Sequence, residues 1–130
     1  MNKIDRYAII FQPDKEGILL HCYPGEGLPL EDLQDIVEGY IETVGTMLAP
    51  GWAQEKGVTP VLIINEEGKL RGLPYNDAAT VMAQIPVTDE IVGNAVLMLA
   101  RCGELIGFKE SAARHIVREW SAVPEDDMEE

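Results

Sequence analysis

PVLIINEEGKLRGLPYN, residues 60–76, is the stretch whose interpretation decides the fold. Val61, Leu62, Ile63 and Ile64 are consecutive and apolar, which predicts a buried strand. Residues 65–69 carry turn chemistry, and Leu70, Arg71 and Gly72 are expected to run back antiparallel, making a hairpin. Leu73 and Pro74 end the extended run. Asn76 is placed to accept hydrogen bonds from the free amides of a helix starting at Asp77. Hairpin and helix are then joined with almost no slack, which sets the register of the core.

Upstream, residues 30–44 have helical periodicity, with Leu33, Ile36, Val37, Tyr40, Ile41 and Val44 on one face. On the opposite face Glu31, Asp35, Glu38 and Glu42 fall at i, i+4, i+7 and i+11, so a continuous helix would gather them in one narrow stripe. No Lys or Arg interrupts the segment. A helix selected for stability alone would mix signs, because like charges one turn apart cost about 0.2–0.5 kcal/mol. Residues 45–50 are a candidate short strand. Trp52, in the loop that follows, is expected to cap the core edge.

Downstream, residues 77–85 predict a short helix that turns Ala78, Val81, Met82 and Ile85 inward before Pro86. Residues 94–102 are apolar at almost every position and predict a central strand, with 105–108 as a short partner. Residues 109–123 form a last helix, expected to stop at Pro124. Closer to the N-terminus, apolar residues 7–11 and 18–23 flank QPDKEG and make a first hairpin. Gly25 and Gly27 invite comparison with a phosphate cradle, but the remaining glycines and a GK[ST] are missing, and Glu26, Glu31 and Asp32 would repel phosphate.

The expected architecture is α+β: a mostly antiparallel sheet of about five to six strands with three helices, the first and last on one face. A chain of 130 residues with 46% hydrophobic content suits one domain, residues 1–123, followed by a disordered acidic tail, 124–130. The apolar run at 8–11 is too short for a signal peptide and that at 95–100 too short for a membrane span, so a cytoplasmic protein is expected. Cys22 and Cys102 are then expected to be small buried hydrophobes rather than a disulfide.

Twenty-three acidic against ten basic residues leave a net charge of −13. This argues against direct contact with nucleic acid or an anionic membrane, each of which calls for a basic face. His21, Cys22, Cys102 and His115 match no zinc spacing, so neither a metal nor another cofactor is expected. Ser111 and His115 lie one helical turn apart, but no nucleophile, base and oxyanion set converges, and no enzymatic activity is expected.

IVEGYIETV (36–44), NEEGKLRGLPYN (65–76), the alanine-rich helix start after it and IVGNAVL (91–97) together resemble a family known only as a domain of unknown function, numbered 3846. The resemblance covers residues 30–108. It implies a fold rather than a reaction, and, since many members look like phage or mobile-element proteins, an accessory gene product with a partner in a host or competing element.

The function expected from these features is that of a non-enzymatic acidic binding protein that inhibits or regulates a basic, nucleic-acid-handling protein. Glu31, Asp35, Glu38 and Glu42 would stand in for phosphates, as in an anti-CRISPR or anti-restriction protein. The alternative is a small-ligand binder for a nucleotide-like signal or metabolite, using Asn65, Tyr75 and Asn76. A third is a homodimer formed through the apolar sheet face.

Overall fold

Five successive core residues, Ala95 to Leu99, are completely buried, so the strand that carries them has to be covered on both faces. The computed structural model, which describes residues 5–13, 18–24, 28–86 and 88–128, with side chains at 22–24, 50 and 121–128 left aside, shows how this is achieved. In chain order the strands are β1 (Asp5–Phe11), β2 (Ile18–Pro24), β3 (Ile41–Gly45), β4 (Thr59–Asn65), β5 (Ala95–Arg101) and β6 (Glu104–Ile106). The helices are α1 (Leu30–Val37), α2 (Asp77–Met82) and α3 (Glu110–Met128), with a 3-10 turn at Pro50–Ala53.

The sheet is antiparallel throughout, in the order β2-β1-β5-β4-β3, with β6 also pairing β5. The fold is α+β with three helices, as the patterning predicts. Alternation along each strand divides the core in two. Ile9, Phe11, Leu62, Leu97 and Leu99 point to one face, under α2, α3 and the 3-10 turn. Ala8, Ile10, Ile63, Val96 and Met98 point to the other, where Leu33 and Val37 of α1 cover them. The first and last helices therefore lie on opposite faces, contrary to the expectation of a shared one. A central strand apolar on both sides leaves no other arrangement.

The first hairpin forms as expected, with Ile9 opposite Leu20, while its turn at 14–17 and the pair Gly25 and Gly27 lie outside the described residues. The second hairpin does not form. Both edges of β4 are occupied, by β3 and β5, so residues 66–72 cannot return beside it. They coil into a single turn instead: Arg71 N–H bonds Glu67 O at 3.0 Å, Gly72 N–H bonds Lys69 O at 3.1 Å and Leu73 N–H bonds Gly68 O at 3.1 Å. The last two bonds, with Gly72 at φ 69°, make the left-handed ending common at helix C-termini. Leu70, expected in a strand, is almost fully exposed.

β5 and β6 are joined by Cys102 (φ 51°) and Gly103 (φ 83°), a two-residue turn with both φ positive, as a tight hairpin requires. Cys102 is exposed rather than a buried hydrophobe. α2 is shorter than predicted, burying Ala79 and Met82 while Val81 faces solvent. In α3 the helical backbone continues past Pro124 to Met128; a proline removes one hydrogen bond and bends a helix without obliging it to end. Among the described residues no helix is long and apolar enough to cross a membrane.

Candidate functional site

The acidic segment does not remain helical. α1 ends at Val37, Glu38 adopts a left-handed conformation (φ 66°), and Gly39 leads into β3. Two features of the chain produce this ending. Ile41, Thr43 and Val44 are β-branched and prefer a strand, and the side chains of the 65–76 segment seize the end of the helix. Asn65 Nδ2 donates to Val37 O at 2.9 Å and to Glu38 O at 3.1 Å, and Arg71 Nη1 donates to Glu38 O. Gly39 is needed for the close approach, since a Cβ there would sit 2.6 Å from Asn65 Nδ2.

The predicted single stripe is therefore divided. Glu31 and Asp35 stay on α1, Glu38 is its cap, and Glu42 is on β3, exposed beside the partner position Ile64. Three of the four are nonetheless kept at one end of the molecule. Asp35 and Glu38 line an open groove of about 520 Å³ with Gln34, Gly39, Tyr40, Glu67 and Arg71. Glu42 lines a second groove of about 260 Å³, to which Glu66, Glu67, Lys69, Asp89 and Glu90 also contribute. Glu67 belongs to both, so the grooves adjoin; Glu31 lines neither.

The positive charges in these grooves are engaged. Lys69 is ion-paired with Asp89, whose carboxyl it holds below the ordinary value of 3.8, aided by the Glu90 N–H. Arg71 is turned toward the α1 terminus. The outcome is an acidic surface contributed by α1, β3, the 66–72 coil and the loop before β5.

The alternative set, Asn65, Tyr75 and Asn76, is committed to the fold. Besides holding α1, Asn65 accepts from Glu67 N–H at 2.7 Å. Asn76 is completely buried: Nδ2 donates to Phe11 O at 2.9 Å and Gly93 O at 2.8 Å, and Oδ1 accepts from Ala79 N–H at 3.1 Å as the helix cap. Tyr75 bridges to Val92 in a short backbone pairing, and its hydroxyl lies 3.4 Å from Asp77. A cleft of about 270 Å³ nearby is lined by Pro13, Glu38, Leu73, Pro74, Gly93 and Asn94, and neither Tyr75 nor Asn76 reaches it. Both asparagines are thus spent on backbone groups, which removes the polar contacts a nucleotide-like ligand would use.

Ser111 bonds Gln54 Oε1 at 2.8 Å, while His115 stacks on the partly buried Trp52 with ring centres 5.0 Å apart. Among the described residues no group of three or more His, Cys, Asp or Glu is arranged to hold a metal ion. Sequence patterning missed the partly buried ion pair of Arg6 and Glu55. Arg6 grips both carboxylate oxygens, at 2.8 and 3.1 Å, and its hydrogen bond holds the Glu55 carboxyl below its ordinary 4.5. Forty-nine residues separate the two, and no local signal links them.

Neither a curated protein nor a solved structure matches the chain. A family model does, over residues 6–121, which take in the six described strands but for Asp5, the first residue of β1, and the capping segment described above. The chain therefore belongs to the family described as Domain of unknown function (DUF3846).

Proposed function

We propose that this domain is a non-enzymatic binding protein that engages a positively charged protein surface through its acidic end. The observation that carries the proposal is the lining of the two adjoining grooves. Asp35, Glu38, Glu42, Glu66, Glu67, Asp89 and Glu90 contribute carboxylates there, against Lys69 and Arg71. A net charge of −13 adds a long-range field of the same sign, which speeds encounter with a basic partner and disfavours acidic ones.

In its concrete form the partner is a nucleic-acid-handling protein whose phosphate-binding surface the carboxylates occupy, as an anti-restriction or anti-CRISPR protein of a mobile element would do. The carboxylates come from four separate segments: Asn65 and Arg71 tie the end of α1 to the 66–72 coil, β3 is paired with β4, and Lys69 of the coil pairs with Asp89 in the loop before β5, so the charges are presented on a fixed framework. Competition binding tests this. The domain is expected to displace DNA from a susceptible restriction or CRISPR effector, less effectively as salt rises. Absence of competition across a panel of such effectors would contradict the nucleic-acid-mimicking form.

A further inference from the structure

β3 closes one side of the sheet, and its outer edge is open. Glu66 N–H bonds Tyr40 O at 2.8 Å, which places the backbone groups of Tyr40, Glu42 and Val44 toward β4. The alternate residues point outward. At the far end of the strand these outward groups are used: Gln84 N–H bonds Gly45 O at 2.9 Å, and Met47 N–H bonds Met82 O at 2.8 Å. Among the described residues no strand pairs the outward N–H and C=O groups of Ile41 and Thr43. Thr43 and Glu42 are exposed. Tyr40 and Met47, 68% and 66% exposed, stand at the two ends of this edge as apolar side chains without cover.

We infer that the β3 edge is a docking strand for an extended, lysine- or arginine-rich segment of a partner protein. The inference rests on the acidic-surface function proposed above and names the form of its partner. An added strand would bond Ile41 and Thr43 through its own backbone, and its side chains would alternate between the two sheet faces. On the α1 face they meet the groove of Asp35, Glu38 and Glu67; on the other they meet Glu42. Basic side chains are favoured on both. A second copy of this chain fits the same edge geometrically but brings its own −13, which opposes pairing.

The test uses a short peptide of the repeat Lys-Lys-Val-Val, which presents lysine to both faces, the same peptide N-methylated at every residue, and the full chain, either natural or charge-reversed by changing Asp35, Glu38, Glu42 and Glu67 to Lys. Binding of the unmodified peptide at low salt should slow amide exchange of Ile41 and Thr43 at least about tenfold at saturation. The methylated peptide, with its charges intact but no N–H to donate, should bind at least about tenfold more weakly. Thr43→Pro, which removes an outward N–H at an edge position, should weaken binding of the unmodified peptide comparably.

If both peptides bind equally and Ile41 and Thr43 exchange as before, the edge is not the docking strand, although loss of binding in a charge-reversed chain would leave the acidic surface standing. If the peptide binds the charge-reversed and natural chains alike, the acidic-surface function itself falls. Protection of Ile41 and Thr43 without peptide, in a dimer seen by sedimentation, would overturn the basic occupant in favour of a second copy.

Discussion

Asn65 at the end of β4 holds the last turn of α1 by donating its side-chain amide to Val37 O at 2.9 Å. That bond, extended to Glu38 O at 3.1 Å, couples the sheet to the helix that carries the acidic residues. Asn65→Ala would take the buried Val37 O and the partly buried Glu67 N–H from their side-chain partner, and should cost about 2 kcal/mol in denaturant unfolding. Asn65→Asp keeps the acceptor for Glu67 and loses the donor, so it should be destabilising as well and should loosen α1 more than the 66–72 coil, as amide exchange would show.

Asn76 makes an analogous link between the start of α2, the end of β1 and the approach to β5. Asn76→Ala removes the cap and two buried donor bonds, and is expected to cost about 2–4 kcal/mol by equilibrium unfolding. A cost below about 0.5 kcal/mol would show that the site relaxes or admits water.

Gly39 and Gly51 offer a paired comparison. A Cβ at Gly39 would come within 2.6 Å of Asn65 Nδ2 and 2.9 Å of Arg71 Nη1, whereas at Gly51 it meets nothing within 4 Å. Gly39→Ala should therefore destabilise by about 1–3 kcal/mol and Gly51→Ala by much less, measured as the shift in denaturation midpoint at constant slope.

The Arg6–Glu55 pair gives a pH signature. The folded-state value of Glu55 lies below its ordinary 4.5, so the pair's contribution is fully present above that pH and is lost as pH falls through the depressed value. Glu55→Gln should cost about 2 kcal/mol near neutrality, because it weakens the two charge-assisted bonds that Glu55 accepts from the Arg6 guanidinium. It should also flatten the acid limb of stability against pH, which unfolding titrations between neutral and acid conditions would reveal.

The strands were legible wherever the pattern was locally unambiguous. β5 is apolar at every buried position, which marks it as a central strand. The 60–76 segment predicts a strand and a helix cap, both present, and a hairpin that does not form. Turn residues specify that a chain bends, but β3 takes the edge of β4 that Leu70 to Gly72 would have needed, and that competition is tertiary. The acidic stripe failed for a related reason. Val37, Ile41 and Val44 satisfy helical spacing, yet Gly39 weakens a helix and the β-branched residues after it favour a strand, and the side chains that stop the helix come from Asn65 and Arg71. Asn76 was recognisable as a cap because capping is local. Its bonds to Phe11 and Gly93 were not, nor was the pairing of Arg6 with Glu55.

The acidic grooves are tested most directly by capturing partners on the natural domain and on a chain with Asp35, Glu38, Glu42 and Glu67 all changed to Lys, each eluted in steps of rising salt and matched for folding by circular dichroism. A basic protein should be retained by the natural domain, released at moderate salt and absent from the reversed chain. Retention of the same protein by both chains, or release that does not depend on salt, would contradict an acidic binding surface.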